Sequence, residues 1–233
     1  MTQTRTPTNA LIVSHGQPSE PEVAEAEIRA LARAVAAHLP EWQIEGATLA
    51  ADGALEAALE RVPGAIVYPM FMADGWFTQT ALPRRLGDHA GAVLPPFGLD
   101  AGLPQLAADW LMAEVAAKGW AARDVSVFVS GHGSGRSPRP AEVTRDFAAT
   151  LGGVFAAKEI RCGFVEEAPY LADVAAGLGA MAVSLPFFAA RRGHVLDDLP
   201  EALEAVGFAG LRLDPIGLHP RVPEMIANSL RRA

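Results

Sequence analysis

The sequence predicts an α/β protein of two lobes, each a four-stranded parallel sheet flanked by helices, related by internal duplication. Three observations predict it. The first is a repeat. "PMFMADGWFTQTALP" (69–83) and "PFFAARRGHVLDDLP" (186–200) begin and end on matched prolines. His132 stands 117 positions after His15, Pro186 117 after Pro69 and Pro200 117 after Pro83, while Gly217 follows Gly98 by 119. Four landmarks in one order mark a duplicated half-chain; two copies are too few for a solenoid. The second is periodicity: short β-branched runs alternate with helical patterns in both halves, as in parallel α/β sheets. The third is composition, 50% hydrophobic and 20% charged over 233 residues, which is that of a globular chain with a sizeable core.

The elements read in order as follows. Residues 10–13, 43–49 and 65–71 are apolar, strand-length runs, and 91–95 is a weaker fourth. Helical spacing covers 20–38, 54–62, 78–86 and 103–118. The second copy gives strands at 125–130, 160–165, 181–187 and 211–214, with helices near 139–151, 170–178, 194–205 and 220–230. The expected lobes are therefore 1–119 and 120–233, with the hinge near 119–124.

Other properties narrow the function. No apolar run approaches the roughly 18–20 residues that span a bilayer, and the polar opening residues 1–10 do not read as a secretory leader. A single cysteine, Cys162, excludes an internal disulfide framework and fits a reducing, cytoplasmic setting. The net charge of −8 argues against a nucleic-acid binder. It also means that an anionic ligand would need a local group of basic side chains. Glycine-rich "GHGSGR" (131–136) is neither a dinucleotide fingerprint nor a Walker A loop, and no G-x-S-x-G elbow is present.

Ligands of open α/β sheets bind beyond the carboxyl ends of the strands. His15 and His132 follow the first strand of each copy, and His194 follows the third strand of the second. First and third strands commonly lie side by side, so His132 and His194 are expected to face each other across one crevice. Two neutral imidazoles suit a borderline divalent cation, Co²⁺, Ni²⁺, Fe²⁺ or Zn²⁺. Glu166 and Glu167, after the second strand of that copy, either supply a ligand or proton acceptor or merely charge a helix N-terminus. Arg136, Arg139, Arg191 and Arg192 are a basic exception in an acidic chain, suited to a substrate carrying several carboxylates, although Arg191 and Arg192 taken alone read better as an ordinary solvated helix start. His15 reads equally as a turn residue and as a functional one, and His219 is a weaker candidate.

These residues resemble a known family. "LIVSHG", "VFVSGHGS", "CGFVEEAPYLADV", "LPFFAARRGHVLDDLPEAL" and "PIGLHPRVPEMI" are similar to the CbiX-type sirohydrochlorin cobaltochelatases, of the class II chelatases, in a tandem form covering nearly the whole chain. The resemblance implies two Rossmann-like, chelatase-like lobes holding a modified tetrapyrrole in the cleft between them. It implies ATP-independent insertion of a divalent metal, Co²⁺ first and Ni²⁺ or Fe²⁺ next, with no organic cofactor. The family's metal histidines map onto His132 and His194, with Glu166 or Glu167 assisting. The four arginines and His15 would contact the tetrapyrrole. Only His15 matches in the first half, where Trp76-Phe77 replaces Gly-His. A monomer is expected, with further oligomerisation left open. The runner-up is a metal or tetrapyrrole carrier that keeps the fold without catalysis. A metal-assisted hydrolase ranks lowest, because such sites use at least three protein ligands.

Overall fold

The first apolar run becomes β1 (Thr8–Ser14), whose residues Ala10–Val13 have no solvent exposure. A computed structural model describes the chain over residues 8–233; residues 1–7, most of the stretch read as lacking a leader, lie outside it. Helix α1 (Pro21–Ala36) opens on proline, which suits the first turn because the missing N–H would have no partner there. It lays Ala24, Ile28, Ala32 and Val35 on the sheet. Next come β2 (Trp42–Thr48), α2 (Ala54–Arg61) and β3 (Ala65–Pro69). A π-helical turn, Phe77–Ala81, runs into α3 (Leu82–Leu86), followed by β4 (Ala90–Val93) and α4 (Leu103–Ala117).

The second half repeats the plan. It runs β5 (Ser126–Gly131), α5 (Arg139–Val154), β6 (Glu159–Phe164), α6 (Leu171–Ala175) and β7 (Ala182–Pro186). Then follow α7 (Gly193–Leu196), α8 (Asp198–Ala205), β8 (Leu211–Arg212) and α9 (Val222–Arg231). Both sheets are parallel and four-stranded, ordered β2-β1-β3-β4 and β6-β5-β7-β8. The expected fold class and the neighbouring of first and third strands are both seen.

Boundaries moved where local chemistry overrides periodicity. The expected helix 194–205 is broken at Asp197, and the 78–86 helix begins as a π turn. The last strand is only two residues long, because Pro215 has no N–H to continue the ladder begun by Leu213 N–H on the Ser184 carbonyl.

The largest difference concerns the division of the chain. One compact unit comprises residues 1–100 and 220–233, the other 101–219. The expected cut at 119 follows the duplication, but each copy's terminal helix packs with the other unit. Helix α9 packs on α1, and α4 packs on α5. Buried Asp100 explains part of this. Its Oδ2 accepts from the Tyr68 hydroxyl at 2.9 Å and from the Ser229 hydroxyl of α9 at 2.6 Å, tying that helix to the first unit. Burial and the adjacent carboxylate push the Tyr68 phenol far above its usual range, so it stays a donor. In the second unit, Trp110 of α4 packs on the His219 ring, 4.8 Å between centroids.

Gly98 and Gly217, the repeat landmarks, hold the same place in each unit. Gly98 N–H donates to the Phe71 carbonyl and Gly217 N–H to the Phe188 carbonyl, both at 3.0 Å. A Cβ on either would overlap backbone, that of Met72 or of Ala189. These glycines thus press the turn after the fourth strand against the loop that leaves the third.

Overpacking against backbone costs about 1–3 kcal/mol, so Gly217→Ala should lower unfolding stability by at least that much in urea titration. Gly153→Ala, helical and with no neighbour near the added methyl, should instead gain up to about 1 kcal/mol. Cys162 is half-buried on β6, and desolvation pushes its thiol up to about 11. It should therefore react with iodoacetamide at pH 8 far more slowly than free cysteine, as followed by mass spectrometry.

Candidate active site

Strand β5 ends at Gly131, and the chain turns sharply through His132 and Gly133. Gly133 has φ +67°, a left-handed conformation, and a Cβ there would strike the Glu167 and Phe164 side chains. The turn leaves His132 exposed beyond the carboxyl end of the strand. Its Nδ1 lies 2.9 Å from the Gly133 carbonyl. A carbonyl only accepts, so Nδ1 carries a proton, and in the neutral ring the lone pair lies on Nε2.

His194 arrives from the neighbouring strand. β7 pairs with β5 to its last residue, Ser130 against Pro186, and Phe187 N–H then donates to the Ser130 carbonyl at 2.8 Å. The loop that follows leads into α7, which carries His194. The two imidazoles sit 4.6 Å apart between centroids, with ring planes at 90°. His194 Nδ1 lies 2.8 Å from Asp198 Oδ2, which again assigns the free lone pair to Nε2.

Glu166 completes the group from the other side. Its N–H donates to the His132 carbonyl at 3.0 Å, one step past the β5–β6 ladder. One donor atom from each of His132, Glu166 and His194 lies within 4.8 Å of the others. Ligands around an ion with bonds of about 2.0–2.1 Å stand roughly 3.4 Å apart in a tetrahedron. The three donors are therefore close enough to converge on one ion after small side-chain movements. Among the described residues the cluster offers three donors from exposed or half-exposed side chains. Three accessible donors leave at least one coordination position open, which suits loading and release of an ion.

Glu167 lies outside the donor cluster; its Oε1 accepts from Ser134 N–H at 2.8 Å and so braces the turn that carries His132. Arg191 is ion-paired with Asp214, and Arg139 lies 3.6 Å from Glu142. Arg136 N–H donates to the Ser134 hydroxyl at 3.1 Å, and its side chain is exposed. Arg192, half-buried, ends the loop just before α7. Sequence reasoning missed Asp198; its spacing of four from His194, which would share a face on an unbroken helix, was the signal that could have found it.

The first lobe repeats the scaffold without the chemistry. His15 Nδ1 lies 2.9 Å from the Gly16 carbonyl, as His132 does from Gly133. Its ring meets Phe77 at 4.4 Å and 88°, matching the imidazole pair of the other lobe. Ala50 N–H donates to the His15 carbonyl, so a methyl stands where Glu166 does. One imidazole, a phenyl ring and a methyl cannot hold a divalent ion together. His219, packed on Trp110, lies outside the donor cluster.

The CbiX family model matches residues 126–233, the stretch that contains every donor. No curated protein matches the chain. Among solved structures, a CbiX described as the terminal enzyme for biosynthesis of siroheme in denitrifying bacteria is 47% identical, with a TM-score of 0.87, over 97% of this chain and 99% of that one. SirB from Bacillus subtilis with Fe³⁺ shares 16% identity and a TM-score of 0.75, covering 97% of this chain and 95% of its own. A sirohydrochlorin chelatase SirB from Bacillus subtilis subspecies spizizenii in complex with cobalt shares 16% identity and a TM-score of 0.69, with the same coverage. The SirB structures match the fold, and the 47% identity over nearly all of both chains settles kinship: the protein belongs to the CbiX family of metal chelatases.

Proposed function

We propose that this chain inserts a divalent metal ion into sirohydrochlorin or a closely related tetrapyrrole, with the ion loaded on His132, His194 and Glu166. The convergence of those three donors beyond β5, β6 and β7 is the observation that carries the reading. Its support in kinship is the CbiX of siroheme biosynthesis, 47% identical.

Insertion exchanges two pyrrole N–H bonds for metal–nitrogen bonds. Two protons leave for each ion, the metal keeps its oxidation state, and no nucleotide is consumed. The protein's tasks are to hold the ion near the ring, to let it go, and to take up protons. An accessible three-donor set serves the first two. Once the ion passes to the macrocycle, the freed imidazoles and the Glu166 carboxylate are proton acceptors at the right place. Glu167 keeps the His132 turn in shape by its bond to Ser134.

Arg136, Arg139, Arg191 and Arg192 would bind the peripheral carboxylates of the tetrapyrrole. Arg191 and Arg139 must then exchange Asp214 and Glu142 for substrate carboxylates, which costs little because exposed ion pairs are worth only about 0–1 kcal/mol. His15, with Phe77 against its ring, would contact the macrocycle without holding metal. Imidazole and carboxylate accept Co²⁺, Ni²⁺ and Fe²⁺ alike. The relative's role in making siroheme, an iron tetrapyrrole, favours Fe²⁺ as the ion used, with the sequence-expected Co²⁺ accepted at the same ligands. The reading carries with it a cytoplasmic monomer. Among the described residues, no helix is long and apolar enough to cross a membrane.

Incubation with sirohydrochlorin and excess Co²⁺ or Fe²⁺, followed by absorbance, should show many turnovers per chain; a single stoichiometric burst would indicate the carrier instead. His132→Ala and His194→Ala should each abolish detectable turnover and Co²⁺ binding, and unchanged values in either would remove that residue from the site. Glu166→Gln should slow turnover by about 100-fold, the scale expected for a lost proton acceptor.

A further inference from the structure

Resting on the reading above, we propose that Asp198 is a positioning residue for metal loading, acting through His194. Four facts point to it. The first is contact: Asp198 Oδ2 is 2.8 Å from His194 Nδ1, on the side of the ring away from Nε2. The second is position: Asp198 is not one of the three clustered donors, so its place is behind a ligand. The third is the difference between the two imidazoles. His132 is held by a backbone carbonyl, whereas His194 is held by a carboxylate. A carboxylate acceptor fixes the tautomer and makes the opposite nitrogen a stronger donor. His194 needs this more, because it rides on a four-residue helix whereas His132 is fixed directly at the end of β5.

The fourth fact is an internal comparison. Phe77 holds the place of His194 in the first lobe, with ring geometry nearly the same as that of the imidazole pair. Four residues after Phe77 stands Ala81, where four after His194 stands Asp198. Ligand and carboxylate are present together in one copy and missing together in the other. The ordinary role for an acid at this point is to favour the N-terminus of α8. That role does not distinguish Asp198 from Asp197, which stands at the same helix end and has no capping bond.

The experiment is Co²⁺ titration of the full chain, read by the visible d–d bands of the bound ion, on wild type, Asp198→Ala, Asp198→Asn, Asp197→Ala and His194→Ala. Thermal unfolding of each variant controls for fold. Asp198→Ala should weaken Co²⁺ binding by about 10–100-fold, the usual effect of removing such a partner, with its melting temperature close to wild type. Asp198→Asn keeps an oxygen to accept the Nδ1 proton but loses the charge, so it should recover part of the affinity. Asp197→Ala should bind as wild type. A loss under tenfold for Asp198→Ala, or an equal loss for Asp197→Ala, overturns the proposal while leaving the metal site standing. Unchanged binding by His194→Ala would overturn the site itself, and this inference with it.

Discussion

The parallel pairing of β5 with β7 is the constraint on which the rest depends. Two imidazoles 62 residues apart share a site only because the first and third strands of the lobe are neighbours and end at the same level. The bond from Phe187 N–H to the Ser130 carbonyl carries the register one step beyond the last paired residues. A one-residue slip in register turns every side chain of the strand to the opposite face. The site is thus a property of sheet register first and of side chains second.

The two lobes separate these contributions. In both, a histidine follows the first strand, its Nδ1 bonds the next carbonyl at 2.9 Å, and a ring from the segment after the third strand meets it edge-on. Backbone and ring placement survive the change from imidazole to phenyl. The set of candidate metal donors does not, because a phenyl ring has no lone pair and Ala50 has no carboxylate. Duplication has left one framework with two sets of side chains, and the framework does not depend on the candidate donors for its shape.

Around the donors the structure spends polar groups on orientation. Gly133, Ser134 and Glu167 hold the His132 turn, while Asp198 meets His194. Both rings keep Nδ1 occupied and Nε2 available. Only Glu166 of the paired acids reaches the donor cluster, since the chain after β6 turns its successor back toward Ser134. Three exposed or half-exposed donors leave coordination positions open around an ion.

Much of this was legible in the residues alone. Hydrophobic periodicity and the recurring 117-residue offset determined the duplicated α/β class and both four-stranded sheets, because strand-forming and helix-forming patterns are local and survive in any context. The same offset determined that His132 and His194 belong to one lobe and that Phe77 breaks the pair in the other. Tertiary structure alone decided which of Glu166 and Glu167 lies beside the two histidines, because adjacent residues leaving a strand point to opposite sides. It alone decided that α4 and α9 pack with the other copy's lobe, because helix faces record how much must be buried but not against what. The bond between His194 and Asp198 lay in the sequence only as a spacing of four; whether a helix would form there, and whether the ring would turn its Nδ1 toward the acid, depended on where β7 and its loop delivered the chain.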